Sequence, residues 1–173
     1  MSLPSFQTCD ATTMRRAMGR LTSGVAVVST GTPDNFQGMT ISSLTSISLE
    51  PSILMISLTE GSRTTDLVGE SGKFGISILS SRQEAVARHF ATRGGSRFES
   101  VDCEYGSLEV PLIRDALVQA ECVVHSWHDV GDHRVFYGLV GDIRFRDGTG
   151  ILFSSGKFGE FHDFGHDEMP WLF

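Results

Sequence analysis

Apolar residues recur at helical spacing near the start of the chain. Met14, Ala17, Met18 and Leu21 fall at i, i+3, i+4 and i+7, which predicts a short helix from about Asp10 to Leu21 with Arg15, Arg16 and Arg20 on its other face. After Gly24 the period changes: Val25 to Thr30 is a β-branched run closed by the turn-rich stretch GTPDNFQG, hence a strand, a loop and a second strand. Ser, Thr, Ile and Leu dominate from Met39 to Leu58, which predicts at least two strands broken at Glu50-Pro51, with Ile53 to Leu58 the more buried. Gly61 to Asp66 supplies hydroxyl caps and an acidic first-turn residue, so a helix starts there and ends near Gly69 or Gly72. Phe74 to Leu79 reads as a strand. Ser81 and Glu84 have capping-box spacing, and Val86, Ala87 and Phe90 give the next helix an inner face up to about Ala91, before a loop from Arg93 to Ser96. A long hairpin follows: Ala116, Val118, Ala120, Cys122 and Val124 alternate before the His128 to His133 loop, and Val135, Tyr137, Leu139, Ile143 and Phe145 after it.

Strands joined mainly by hairpins, with three short helices among them, predict a mainly β fold, an antiparallel barrel or sandwich and not a parallel βαβ sheet. A length of 173 residues holds one domain, drawn here over 1–159. Residues 160–173 form an acidic and aromatic tail whose composition suits either a flexible tail or an arm packed on a partner subunit. The net charge of −7 argues against nucleic acid, and the concentration of acids in the second half points a phosphate-bearing ligand to the first. Cys9, Cys103 and Cys122 are odd in number and far apart, which fits neither a disulfide framework nor a thiolate zinc site. No apolar run suits a membrane span and no signal-peptide pattern opens the chain, so a cytoplasmic protein is expected.

Spacing removes several chemistries. There is no GxGxxG, no Walker A glycine before Gly72-Lys73, and no GxSxG elbow. His125, His128 and His133 flank the hairpin loop, but on a strand His125 and His128 point to opposite faces, and no metal site is assigned. His162 and His166 are spaced i, i+4, with Gly165 weakening a helix between them. The informative stretch is GMTISSLTSISLEP, residues 38 to 51. Gly38 permits close approach of backbone to a planar ligand, and Ser42, Ser43, Thr45 and Ser46 are donors for its polar edges or for a ribityl chain. An edge strand with polar residues outward has the same composition, and the residues alone leave both readings open.

With its neighbours this stretch resembles the flavin reductase-like, FMN-binding split-barrel family, the short-chain NAD(P)H:flavin oxidoreductases that serve two-component monooxygenases. The resembling blocks run in order as RRAMGRLTSGVAVVST (15–30), GMTISSLTSISLEPSILMISL (38–58), GSRTTDLV (61–68), SGKFGISILSSRQEAVARHFA (71–91), RF (97–98), PLIRDALVQAECVV (111–124) and GDHRVFYGLV (131–140). The resemblance implies a six-stranded antiparallel Greek-key split β-barrel with short flanking helices. It also implies a homodimer with its flavin near the subunit interface, FMN or FAD as the flavin, NADH or NADPH as co-substrate, and a separate oxygenase as partner. By the same resemblance Met39, Thr40, Ser42, Ser43, Leu44 and Thr45 line the isoalloxazine and ribityl groups. Ser62, Arg63, Thr64 and Thr65 meet the phosphate, in accord with the independent reading of a helix start with free amides. Arg97 assists the phosphate, and His133 stands near the nicotinamide. The implied reaction passes hydride from nicotinamide C4 to flavin N5, for which the protein supplies alignment and donors, not a nucleophile. Two departures stand out: Ser77 replaces an amide side chain of the family's FxVNVL, and Ser155 replaces the arginine of PLLYxRGxY. They place nicotinamide docking in question and keep open a non-catalytic flavin carrier or sensor; a related barrel that binds haem is the other alternative.

Overall fold

In the structure, a computed structural model, residues 5, 6, 8–92 and 98–165 are described. The expected loop at 93–96, Arg97 and His166 lie outside the described residues. The first helix, α1 (Ala11–Met18), is capped by Asp10, whose carboxylate accepts the Thr13 N–H at 2.7 Å. Its apolar stripe stays open to solvent, since Met14, Met18 and Leu21 are about half exposed or more. Five strands follow: β1 (Ser23–Gly24), β2 (Ala26–Thr30), β3 (Gln37–Ile41), β4 (Thr45–Leu49) and β5 (Ser52–Thr59). Then come α2 (Arg63–Ser71), β6 (Lys73–Ile78) and α3 (Glu84–Ala91). The short pair β7 (Cys103–Tyr105) and β8 (Pro111–Ile113) precedes the long hairpin of β9 (Val118–Val130) and β10 (His133–Phe145), and β11 (Ile151–Ser154) and β12 (Lys157–Glu160) close the chain.

The main sheet has seven antiparallel strands in the order β3-β2-β6-β9-β10-β5-β4. The six-stranded barrel that the resemblance implied is therefore not what is seen: β3 and β4, consecutive in the chain, are the two free edges of an open sheet. They still meet the same core, because Met39 and Leu44 pack against the cluster of Val28, Ile56, Phe74, Cys122 and Phe136 on the inner face. A second cluster of Val25, Val27, Leu79, Phe90 and Ile113 covers the opposite face. The uninterrupted run Val25–Val28 is explained by this arrangement, since its alternate residues enter different cores.

Two sequence expectations shift. The core face of β10 carries Phe136 and Gly138, both buried, whereas Val135, Tyr137 and Leu139 face outward. Gly138 hides the pattern: a Cβ there would collide with the Phe74 ring, so the core face lacks an apolar side chain at that point. At the start of α3 the cap is Ser80 with Gln83, whose Oε1 accepts the Ser80 N–H at 3.0 Å, while Glu84 pairs with Arg88 at 2.6 Å. Two overlapping capping patterns one residue apart were present, and the turn Ser81–Gln83 uses the first.

Candidate functional site

The tip of α2 is built from its own hydroxyls. Thr65 Oγ1 donates to the Thr59 carbonyl at 2.7 Å, so the 2.6 Å contact between Ser62 and Thr65 is a donation from Ser62 Oγ. Ser62 Oγ in turn accepts the Thr65 N–H at 3.1 Å. Both hydroxyls are thereby committed to the fold. The first intrahelical bond runs from the Asp66 N–H to the Ser62 carbonyl, leaving the N–H groups of Arg63 and Thr64 at the positive end of the helix dipole. Among the residues expected at a phosphate, then, the tip offers two amides and the exposed Arg63 side chain, while Thr64 and Thr65 are buried.

Around the end of β5 the other elements converge. His133 is in register with Thr59 and Val135 with Ser57, and the Glu60 N–H donates to the Asp132 carbonyl at 3.0 Å. Ser43 Oγ donates to the Ser57 carbonyl at 2.8 Å and accepts the Ser57 N–H at 3.2 Å, continuing the β4–β5 ladder with a side chain. His133, Thr59, Ser57, Met55 and Thr45 thus share the outer face of the sheet, and the Thr59 carbonyl anchors the tip of α2 beside them. Ser42 is exposed at the entrance to β4. Thr40 does not join this group with its hydroxyl, which donates to the Ala87 carbonyl of α3 at 2.7 Å; Met39 and Leu44 support the site from the core side. Gly38 serves packing as well, because a Cβ there would strike the rings of Phe90 and Phe98.

Asp132 was missed in the sequence although it adjoins His133. Its Oδ1 lies 2.7 Å from His133 Nδ1, and a carboxylate can only accept, so Nδ1 carries the proton and Nε2 is left for another partner. That hydrogen bond is the first cause holding the Asp132 carboxyl below its ordinary range. Arg134, also missed, stiffens the hairpin behind the histidine. It forms a two-point pair with Asp129 at 2.6 and 3.2 Å and lies 4.2 Å over the ring of Trp127.

Both sequence departures fall elsewhere. Ser77 is 1% exposed on the face turned to the second cluster, and its Oγ accepts the Ile113 N–H at 2.9 Å. Ser155 sits in the β11–β12 turn at φ 51°, its N–H bonded to the Gly19 carbonyl at the end of α1 at 2.6 Å. Ser77 thus serves the packing of β8, with β9 lying between its strand and the β10 that carries His133.

The helix-tip amides, the hydroxyls along the β4 edge and the carboxylate-oriented histidine thus meet around the end of β5. Comparison with known proteins supplies the class. The profile of the flavin reductase like domain matches residues 18–162, and the chain belongs to that family. An NADH-dependent flavin reductase of a Rhodococcus species is 36% identical over 164 residues, covering 92% of this chain and 91% of its own. The reductase subunit HsaB of a flavin-dependent monooxygenase from Mycobacterium tuberculosis is 31% identical over 131 residues, 76% of this chain and 70% of its own. Among solved structures, the NADH:FAD oxidoreductase SgcE6 of Streptomyces globisporus superposes with a TM-score of 0.84 at 33% identity, covering 92% of this chain and 100% of its own.

Proposed function

We propose that the chain is an NADH:flavin oxidoreductase, the reductase component that hands reduced FMN or FAD to a separate monooxygenase. The observation that carries this reading is the meeting, at the end of β5, of a helix tip with two free amides, the serine-lined edge of β4, and His133. A flavin bound there supplies the hydride acceptor for reduced nicotinamide. The N–H groups of Arg63 and Thr64, with the Arg63 guanidinium, hold the phosphate, and Arg97 adds charge at the same end. Ser42, Ser43 and Thr45 offer hydroxyls and strand-edge backbone to the ribityl chain and the polar ring edge, with Met39, Thr40 and Leu44 behind them. His133 keeps its Nδ1 proton on Asp132 and turns Nε2 to the nicotinamide. The Rhodococcus and Streptomyces proteins are both described by NADH, which favours it over NADPH as co-substrate.

The reductase domain spans 1–159, the tail follows it, and the protein works in the cytoplasm, where the reduced nicotinamide pool lies. A second copy of the chain covers the outer face: Val123 and Leu139 are exposed there, and Ile47 and Leu49 on the edge strand β4. Sedimentation at micromolar concentration is expected to give a dimer, and a monomer would remove this assignment. For the activity itself, anaerobic mixing of protein, NADH and flavin is expected to bleach the flavin's visible absorbance at a rate proportional to protein concentration. Flavin binding without bleaching would contradict the reductase reading.

A further inference from the structure

A cleft of about 660 Å³ adjoins Arg63, inside the range of natural small-molecule pockets, roughly 300–1,000 Å³. Its walls come from three separate segments, carrying Asp34 and Phe36 between β2 and β3, Phe98 before β7, and Tyr105 at the end of β7 with Glu109 in the loop that follows. Arg63 belongs to two places at once. Its main-chain N–H sits at the first position of α2, and its Nη2 donates to Asn35 Oδ1 on the cleft wall at 2.7 Å. A ligand with a phosphate at the tip of α2 therefore has this cleft as its continuation. FMN ends at that phosphate, whereas FAD runs on through a second phosphate to ribose and adenine.

We propose that this cleft is the adenosine subsite of the flavin and makes FAD the preferred substrate; the proposal rests on the flavin reductase reading above. The lining suits a nucleoside. Phe36 lies 5.9 Å from Tyr105 and 6.5 Å from Phe98, and Tyr105 is 55% exposed, so an aromatic face is open for a base to stack on. Asp34 and Glu109 take part in no ion pair among the described residues, and their carboxylates are acceptors for ribose hydroxyls and for the adenine amino group. Arg63 at the rim meets the second phosphate. The charges also select against the shorter flavin. Asp34 and Glu109 line the cleft, and they repel the terminal dianion of FMN more than the singly charged diester phosphates of FAD.

Titration of the full-length protein with FAD, FMN and ADP by calorimetry tests the subsite. FAD is expected to bind roughly tenfold tighter than FMN, about 1.4 kcal/mol, with ADP displacing FAD. Tyr105→Ala and Glu109→Gln, both at exposed positions, are each expected to shrink the FAD-to-FMN ratio by about threefold or more. Equal affinities for the two flavins, or a ratio that neither variant changes, would overturn the subsite and leave the reductase reading standing. Failure of both flavins to bind would overturn the two together.

Discussion

Ser77→Ala removes one oxygen at a position that is 1% exposed, and the loss falls on a single donor, the Ile113 N–H that Ser77 Oγ accepts at 2.9 Å. Ile113 is itself 1% exposed, and its carbonyl already takes a hydrogen bond from Gln119 Nε2 at 2.8 Å, so no water replaces the missing acceptor. A buried donor left unpaired costs about 1–3 kcal/mol. For a chain of this length each kcal/mol lowers Tm by about 2–4 °C, so the expected fall is about 2–12 °C. Because Ser77 faces the second cluster, kcat and KM for NADH are expected to stay within about twofold of the parent at room temperature. Ser77→Asn, which restores the amide of the family pattern, overfills a buried site and is expected to cost about 1–3 kcal/mol. Thermal denaturation and steady-state kinetics on the same preparations decide the matter. An unchanged Tm together with a raised KM for NADH would show that Ser77 acts at the coenzyme, and the assignment of its face would be wrong.

At the helix tip, Arg63→Pro and Arg63→Ala separate amide from guanidinium. Proline fits the first helical position, and Ser62 before it is already extended at ψ 144°. Proline is expected to weaken flavin binding about tenfold more than alanine, as befits a hydrogen bond to a charged group worth about 1.5–3 kcal/mol; equal losses in a fluorescence titration would contradict the cradle. His133→Ala is expected to slow flavin bleaching roughly tenfold or more with flavin affinity retained, and Asp132→Asn to give a smaller loss, since it disturbs only the orientation of the ring. A lost flavin affinity in His133→Ala would move the histidine to the flavin instead of the nicotinamide. Burial pushes the thiol of Cys103 up to about 11 and that of Cys122 to about 12, so both stay protonated well above neutral pH. A thiol reagent at neutral pH is therefore expected to modify Cys9, which is exposed, and to reach the other two only after denaturation.

The strands were legible where one period ruled. The doubly buried β2 and the alternating β9 announced themselves, and the caps of α2 marked its start within a residue. On β10 the reading failed because Gly138 left the core face without a side chain while Tyr137 and Leu139 filled the outer one with apolar groups. The serine run is less uniform than its composition suggests. Thr40 and Ser43 spend their hydroxyls on Ala87 and Ser57, partners distant enough in sequence that no local pattern reveals them. Asp132 was within reach, since an acid beside a histidine at a hairpin turn is a local signal. The cleft beside Arg63 was not, because its walls come from three segments that carry no periodicity.

Crystals soaked with FAD test the central placement most directly. The account predicts density for the phosphate nearest the flavin ring at the N–H groups of Arg63 and Thr64, with the isoalloxazine on the outer face between Ser42–Thr45 and His133. Density for the ring on any other face of the sheet, or a phosphate bound away from α2, would contradict it.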